Sequence, residues 1–156
     1  MPSTHLIGVL SDTHGLLRPE ALEALQGVEA IIHAGDVGDP DILDQLAKIA
    51  PVHAVRGNVD TAPWASDLPQ TEVVQIGSVN LYVLHDRDTL DLDPKTADFH
   101  AVIFGHSHRL LIENQNGVLF LNPGSAGHQR FDLPVTLVQL RISGTKIDCD
   151  PITLNV

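Results

Sequence analysis

Short polar clusters follow apolar stretches at five points along the chain, and their side chains are typical metal ligands. The clusters are Asp12-Thr13-His14, Gly35-Asp36, Gly57-Asn58, His85 and Gly105-His106-Ser107-His108. Apolar stretches bounded by polar residues predict buried strands. Binding sites in open α/β sheets form at the carboxyl ends of strands. We therefore expect the five clusters to meet in one metal centre.

The candidate ligands are imidazole, carboxylate and amide groups, without a thiolate. Such a set favours Mn, Fe, Co, Ni or Zn over Mg or Ca. An amide oxygen is a weak ligand alone, so Asn58 beside a shared carboxylate suggests a second metal ion. Side chains alternate along an extended strand, which would put Asp12 and His14 on one face and likewise His106 and His108. Glycines before three ligands would let the backbone approach closely. These are Gly35, Gly57 and Gly105.

The elements that must position these ligands alternate between strand and helix in the first third of the chain. Strands are predicted at 6–11, 30–34 and 52–56, with helices from Pro19 to about Gln26 and from Pro40 to about Ala50. This order predicts parallel pairing with right-handed crossovers.

The second half is mostly strand. Hairpins are predicted around Gly77-Ser78, Gln115-Asn116-Gly117 and Ser143-Gly144-Thr145. Segments 61–70 and 86–93 are predicted loops, and a short helix could begin at Pro94. The fold class is predicted to be α/β, a four-layer αββα sandwich of two mixed β-sheets flanked by helices, forming a single domain over 1–156.

The composition excludes several classes of function. The formal net charge of −11 argues against nucleic-acid binding and against an anionic membrane surface. A nuclease is disfavoured further because no basic or aromatic stripe is evident. The single cysteine, Cys149, excludes an intramolecular disulfide framework, and we expect a cytoplasmic protein without a signal peptide or membrane span.

The five ordered clusters resemble the motifs of the calcineurin-like metallophosphoesterases. The segment Asn122-Pro123-Gly124-Ser125 and the chain length are similar to those of the small bacterial and archaeal phosphodiesterase branch. The resemblance covers residues 6 to about 126 and implies the αββα sandwich expected above.

The resemblance also implies roles for individual residues. One metal ion would be held by Asp12, His14 and His108. The other would be held by Asn58, His85 and His106, with Asp36 as the bridging ligand. Asp36, Asn58 and His106 would also take part in catalysis. The cofactors would be two divalent metal ions, commonly Mn, with Ni, Fe, Co or Zn as alternatives.

A dinuclear centre implies hydrolysis of a small phosphorylated substrate by in-line attack of a metal-bridging hydroxide. Many members of the family have a histidine after the Gly-Asn motif, thought to protonate the leaving group, but this chain has Val59. We therefore expect a preference for phosphodiesters or other substrates with good leaving groups. Asp86 replaces the glycine usual after the metal-binding histidine and could repel phosphate or bind Arg87. Asp60 could act through water, although a turn residue is the simpler interpretation.

Other polar residues are assigned supporting roles. His33 and His53 lie within predicted strands and are expected to be core or sheet residues. Arg56, Arg87 and Arg130 could each bind phosphate, but surface salt bridges are the expected role. Asn122 to Ser125 is expected to form a turn that supports the site. Exposed strands at 79–85 or 134–142 could support a homodimer.

A different class of function is a scaffold. A eukaryotic relative in the retromer coat retains this fold as an interaction surface with impaired metal chemistry. The presence of all seven ligand positions here favours the enzyme.

Overall fold

The computed structural model describes residues 4–130 and 132–156, and this part of the chain forms ten strands, two α-helices and two 3-10 helices. The strands of the amino-terminal half are β1 (Thr4–Leu10), β2 (Ala30–His33), β3 (Val52–Ala54), β4 (Thr71–Ile76) and β5 (Val79–Leu84). The later strands are β6 (Ala101–Ile103), β7 (Leu110–Gln115), β8 (Val118–Pro123), β9 (Thr136–Ser143) and β10 (Lys146–Thr153). The α-helices are α1 (Pro19–Ala24) and α2 (Pro40–Ala47), and the 3-10 helices are Pro63–Asp67 and Arg87–Thr89.

The strands form two five-stranded mixed sheets, in the orders β10-β9-β1-β2-β3 and β4-β5-β6-β8-β7. β1, β2 and β3 pair in parallel, as the alternating sequence predicts. β5, β6 and β8 are also parallel, whereas the outer pairs are antiparallel hairpins. The carboxyl ends of six parallel strands can therefore open onto one site.

Apolar side chains from both sheets fill the space between them, which confirms the predicted face-to-face arrangement. The inner core includes Ile7 and Val9 from β1, Leu81 and Val83 from β5, and Ile103 from β6, each fully buried. The opposite face of the first sheet packs against the two α-helices, through Leu25 and Leu46 among others. These two cores hold the ends of β1, β2, β5 and β6 in fixed relation.

Both helices begin as predicted and end slightly early. Pro40 occupies the first turn of α2, and the Asp39 carboxylate caps it by accepting a hydrogen bond from the Asp41 N–H at 2.9 Å. α1 ends at Ala24 rather than near Gln26, and α2 ends at Ala47 rather than Ala50.

The outer face of the second sheet is covered by a 3-10 helix and turns. Tyr82, Phe104 and Phe120 on this face pack against Leu90 and Phe99 of the segment that follows β5. The short helix expected at Pro94 is instead a series of turns. Within the described residues, no helix combines the length and the apolar character needed to cross a membrane.

The strands considered for a homodimer lie inside the sheets. β5, which covers most of 79–85, pairs with β4 and β6, and β9, within 134–142, pairs with β10 and β1. The expectation that these strands are exposed is wrong, because each already has a partner on both sides.

Candidate metal centre

The loops that follow the parallel strands are joined by backbone hydrogen bonds. The N–H groups of Asp12 and His14 donate to the carbonyl oxygens of Gly35 and Asp36, at 3.0 and 2.9 Å. In the second sheet, the Gly105 N–H donates to the His85 carbonyl at 3.0 Å. The two sheets are linked where the Asp12 Oδ2 accepts the His106 N–H at 3.1 Å. Residues distant in sequence thus meet at one edge of the sandwich.

Six of the seven predicted ligands form two neighbouring triads. The first triad is Asp12, His14 and His108, and the second is Asp36, His85 and His106. In each triad, the candidate ligand atoms lie within 4.8 Å of one another. The seventh residue, Asn58, places its side-chain carboxamide 3.0 Å from His85 Nε2. The structure thus brings all seven predicted residues together.

A carboxylate connects the two triads. Asp36 Oδ2 lies 3.4 Å from His14 Nε2 in the first triad and 3.1 Å from His85 Nε2 in the second. Asp12 Oδ1 also reaches across, 3.4 Å from His108 Nε2 but 3.9 Å from His85 Nε2. The contact that Asp36 makes with the other triad, 3.4 Å, is shorter than the 3.9 Å contact that Asp12 makes, so Asp36 is the better placed of the two carboxylates to bridge two ions.

The predicted extended geometry of the Asp-x-His and His-x-His segments is wrong. β1 ends at Leu10, and Asp12 and His14 have positive φ angles of 57° and 47°. His106 and His108 likewise have φ angles of 74° and 63°. Left-handed backbone is uncommon outside glycine and costs free energy, and such residues concentrate at functional sites. The turned backbone sends His106 and His108 to different triads.

The predicted close approach at the three glycines is confirmed. A Cβ at Gly35 would lie 2.6 Å from His85 Nδ1, and one at Gly57 would overlap Asp36. A Cβ at Gly105 would overlap Ser11 Oγ and lie 2.6 Å from Asp12 Oδ2. Any larger residue at these positions would displace a candidate ligand.

Several polar atoms at the centre suit a cation. Among the residues that the structure describes, Asp12 Oδ1, His14 Nε2 and His108 Nδ1 are buried without a hydrogen-bond partner. The Asn58 carboxamide lies within 3.2 Å of His85 Nε2 and both Asp36 oxygens, and its amide nitrogen can donate to all three when it faces them. Buried polar groups rarely stay unpartnered, so converging lone pairs are well explained by bound ions. The donor set therefore fits divalent metals.

Hydrogen bonds and burial prepare the ligands. Ala34 accepts a hydrogen bond from His85 Nδ1 at 2.7 Å, which directs Nε2 toward Asp36. Burial opposes ionisation of Asp36, but hydrogen bonds from His85 and the Val59 N–H lower its pKa to about 2. Burial would lower the pKa of His85, but the hydrogen bond with Asp36 and the nearby Asp12 charge raise it. Proton and metal would compete for His85 Nε2.

His108 has the opposite electrostatic environment. Burial lowers its pKa, and this outweighs the attraction of the Asp12 carboxylate. The neutral imidazole is the form that binds a metal ion.

A second set of residues holds the ligand loops. The Asn122 side chain is fully buried and donates to the Gly105 carbonyl at 3.0 Å and to Ser107 Oγ at 3.1 Å. Ser125 Oγ donates to the Asp12 carbonyl at 3.1 Å. The supporting role predicted for 122–125 is therefore confirmed. Sequence reasoning missed Ser11, whose hydroxyl donates to Asp12 Oδ2 at 2.7 Å.

Asp60 connects two ligand loops through the backbone. Its buried carboxylate accepts three N–H groups, from Val37 at 3.1 Å, Gly38 at 3.0 Å and Gly57 at 2.9 Å. The simpler interpretation of Asp60 as a structural turn residue is confirmed. The position of Asp60 three residues after Gly57 is the sequence feature that could predict the bond to the Gly57 N–H. No sequence feature predicts the bonds to Val37 and Gly38, which lie in the other loop.

A cleft of about 240 Å³ adjoins the second triad, lined by His85, His106 and Asn58 together with Arg56 and Asp86. Of the three arginines considered for phosphate binding, Arg56 alone lines this cleft.

The salt bridges expected for these arginines are not formed within the described residues. Arg87 instead lies over the rings of Phe120 and Phe104, at 4.6 and 5.4 Å. For Arg87, the aromatic rings take the place of a carboxylate partner, because a guanidinium is attracted to the face of a ring.

His33 and His53 lie in strands, as predicted. His33 is fully buried between Thr13 Oγ1, at 3.0 Å, and the Gly35 N–H, at 3.2 Å. Burial lowers its pKa to about 4, so it stays neutral and supports the loops without belonging to either triad.

Comparison with known proteins agrees with this geometry. The model of the calcineurin-like phosphoesterase superfamily domain matches residues 6–145. The chain is 38% identical to a probable metallophosphoesterase of Methanothermobacter thermautotrophicus, covering 93% of this chain and 90% of the relative. It is 28% identical to a phosphodiesterase of Methanocaldococcus jannaschii, over 76% of this chain and 82% of that one. The chain belongs to the calcineurin-like phosphoesterase superfamily.

Solved structures share the fold. The structure of a novel archaeal phosphodiesterase has a TM-score of 0.78 at 25% identity, covering 96% of this chain and 99% of that one. Vacuolar protein sorting 29 from Cryptosporidium parvum has a TM-score of 0.79 at 22% identity, covering 96% and 98%. The second likeness concerns the fold alone.

Proposed function

We propose that this protein is a dinuclear-metal-dependent phosphodiesterase. The observation that carries the proposal is the pair of triads connected by Asp36 and bordered by a cleft. Asp12, His14 and His108 would hold one ion, and Asn58, His85 and His106 the other, with Asp36 shared. Bound divalent cations supply a water molecule of lowered pKa and neutralise phosphate oxygens.

The protein's own groups position the reaction. The ionised Asp36 keeps an anionic anchor at neutral pH, because its pKa is about 2. The exposed ring of His106 and the exposed carboxamide of Asn58 line the cleft, where a phosphoryl group can meet them. Arg56 adds a permanent positive charge to the same wall.

The proposed preference for diesters rests on Val59. Its side chain is 43% exposed and cannot donate a proton to a leaving group. Asp60 cannot take over, because its carboxylate is buried and bonded to three backbone N–H groups. Substrates with good leaving groups need less acid assistance.

The test is hydrolysis of bis-p-nitrophenyl phosphate with and without a chelator, in Mn, Ni, Co, Zn and Mg. We expect Asp36→Ala and His106→Ala to abolish turnover while circular dichroism shows an intact fold. His5→Ala is the matched control, because His5 contacts Glu29 and lies at the opposite end of β1. Near-normal rates in either site variant would refute the role of that residue.

The alternative is a scaffold with weak or no catalysis, favoured by the shared fold of vacuolar protein sorting 29. Two bound metal ions without turnover on any phosphoester would support it. We further propose Mn as the metal in the cell, a cytoplasmic location and a single catalytic domain over 1–156. Whether the protein forms a homodimer would be settled by light scattering.

A further inference from the structure

One carboxylate in the wall of the cleft is not used by either triad. Asp86 follows the candidate ligand His85 and lines the same cleft of about 240 Å³. It is half-buried, and its Oδ1 accepts the Asp88 N–H at 3.0 Å, capping the 3-10 helix Arg87–Thr89. This bond fixes the carboxylate in the wall instead of leaving it as a freely moving surface group.

The charge of Asp86 is not neutralised by an ion pair in the part of the chain that the structure describes. The adjacent Arg87 is held against Phe120 and Phe104, on the outer face of the sheet. The cleft wall therefore carries a fixed negative charge, alongside the positive charge of Arg56.

We propose that Asp86 is a specificity-determining residue that selects monoanionic phosphodiesters against dianionic phosphomonoesters, an inference that rests on the proposed function. Near neutral pH a phosphomonoester carries up to one more negative charge than a diester, because its second pKa is about 6. Asp86 repels this extra charge at the cleft. Repulsion between unit charges several ångströms apart at a protein surface weakens the binding affinity about three- to tenfold.

The experiment compares Asp86→Asn with the wild type on two substrates that share a leaving group, p-nitrophenyl phosphate and bis-p-nitrophenyl phosphate. Asparagine removes the charge but keeps an oxygen that can accept the Asp88 N–H, so the turn is retained. Asp88→Asn is the matched control, because it removes an exposed charge from the same turn outside the cleft lining. We expect Asp86→Asn to raise kcat/KM for the monoester relative to the diester about three- to tenfold, mainly through KM.

Binding provides a second measurement, independent of turnover. Isothermal titration of the Mn-loaded variants with inorganic phosphate should show about three- to tenfold tighter binding to Asp86→Asn, with Asp88→Asn unchanged. High salt should reduce the difference. Equal substrate ratios and equal phosphate affinities in the wild type and Asp86→Asn would overturn the proposal. Tighter phosphate binding without turnover in any variant would support the charge effect while refuting the proposed catalysis.

Discussion

Removing the Asp60 carboxylate should destabilise the protein more than removing a typical exposed helix cap does. The side chain is 2% exposed and accepts N–H groups from Val37, Gly38 and Gly57. Val37 and Gly57 are buried, and each of their N–H groups left without an acceptor costs about 1–3 kcal/mol, whereas the N–H of the exposed Gly38 can bond to water. We therefore expect Asp60→Ala to lower the free energy of unfolding by about 3–5 kcal/mol.

Urea unfolding of the metal-free protein would measure this loss. Asp60→Asn keeps one oxygen that can serve the two N–H groups nearest Oδ2, so its loss should be smaller, about 1–3 kcal/mol. Asp39→Ala is the control, because it removes one exposed helix cap worth about 1 kcal/mol. If Asp60→Ala is no worse than Asp39→Ala, the carboxylate does not hold the two loops together and the reasoning is wrong.

Three further predictions follow from buried groups. Burial lowers the pKa of His33 from 6.5 in the unfolded chain to about 4 in the folded protein. As the pH falls from 6.5 to 4, the unfolded chain therefore binds a proton before the folded protein does. The free energy of unfolding should fall by about 3 kcal/mol over this range. With a chelator present, the free energy of unfolding of His33→Gln, measured with urea at each pH, should not show this decline. Parallel plots of that free energy against pH for the variant and the wild type would contradict the prediction. Burial and the neighbouring Asp148 raise the pKa of Cys149 to about 11, so Ellman's reagent should react slowly until urea is added; rapid native reaction would count against this. Gly105→Ala should weaken Mn binding about tenfold or more, because its Cβ would displace Asp12, and unchanged affinity by titration calorimetry would refute this packing argument.

The sequence predicted the sheets well because strand signals here are strong and local. Apolar stretches ending in polar clusters located β1, β2 and β3 to within about two residues. The covering of the second sheet was less predictable. Segment 86–99 packs as a 3-10 helix and turns because Leu90 and Phe99 fill the aromatic face without needing a regular helix.

The sequence predicted which residues meet at the candidate site, but not how they are arranged there. Residue types and order led to all seven candidate ligands, which the structure brings together. The spacing argument failed for His106 and His108, because their left-handed backbone sends them to separate triads. The contacts of Asp60 and Ser11 form where loops distant in sequence come together in the fold, so no local sequence pattern predicts them.

The central claim is that the two triads each hold a divalent ion. X-ray data collected above the manganese absorption edge, from crystals grown with Mn²⁺, would test it directly. We predict two anomalous peaks, one among Asp12, His14 and His108 and one among Asp36, His85 and His106. Absence of both peaks, or a single ion bound outside the triads, would contradict the account.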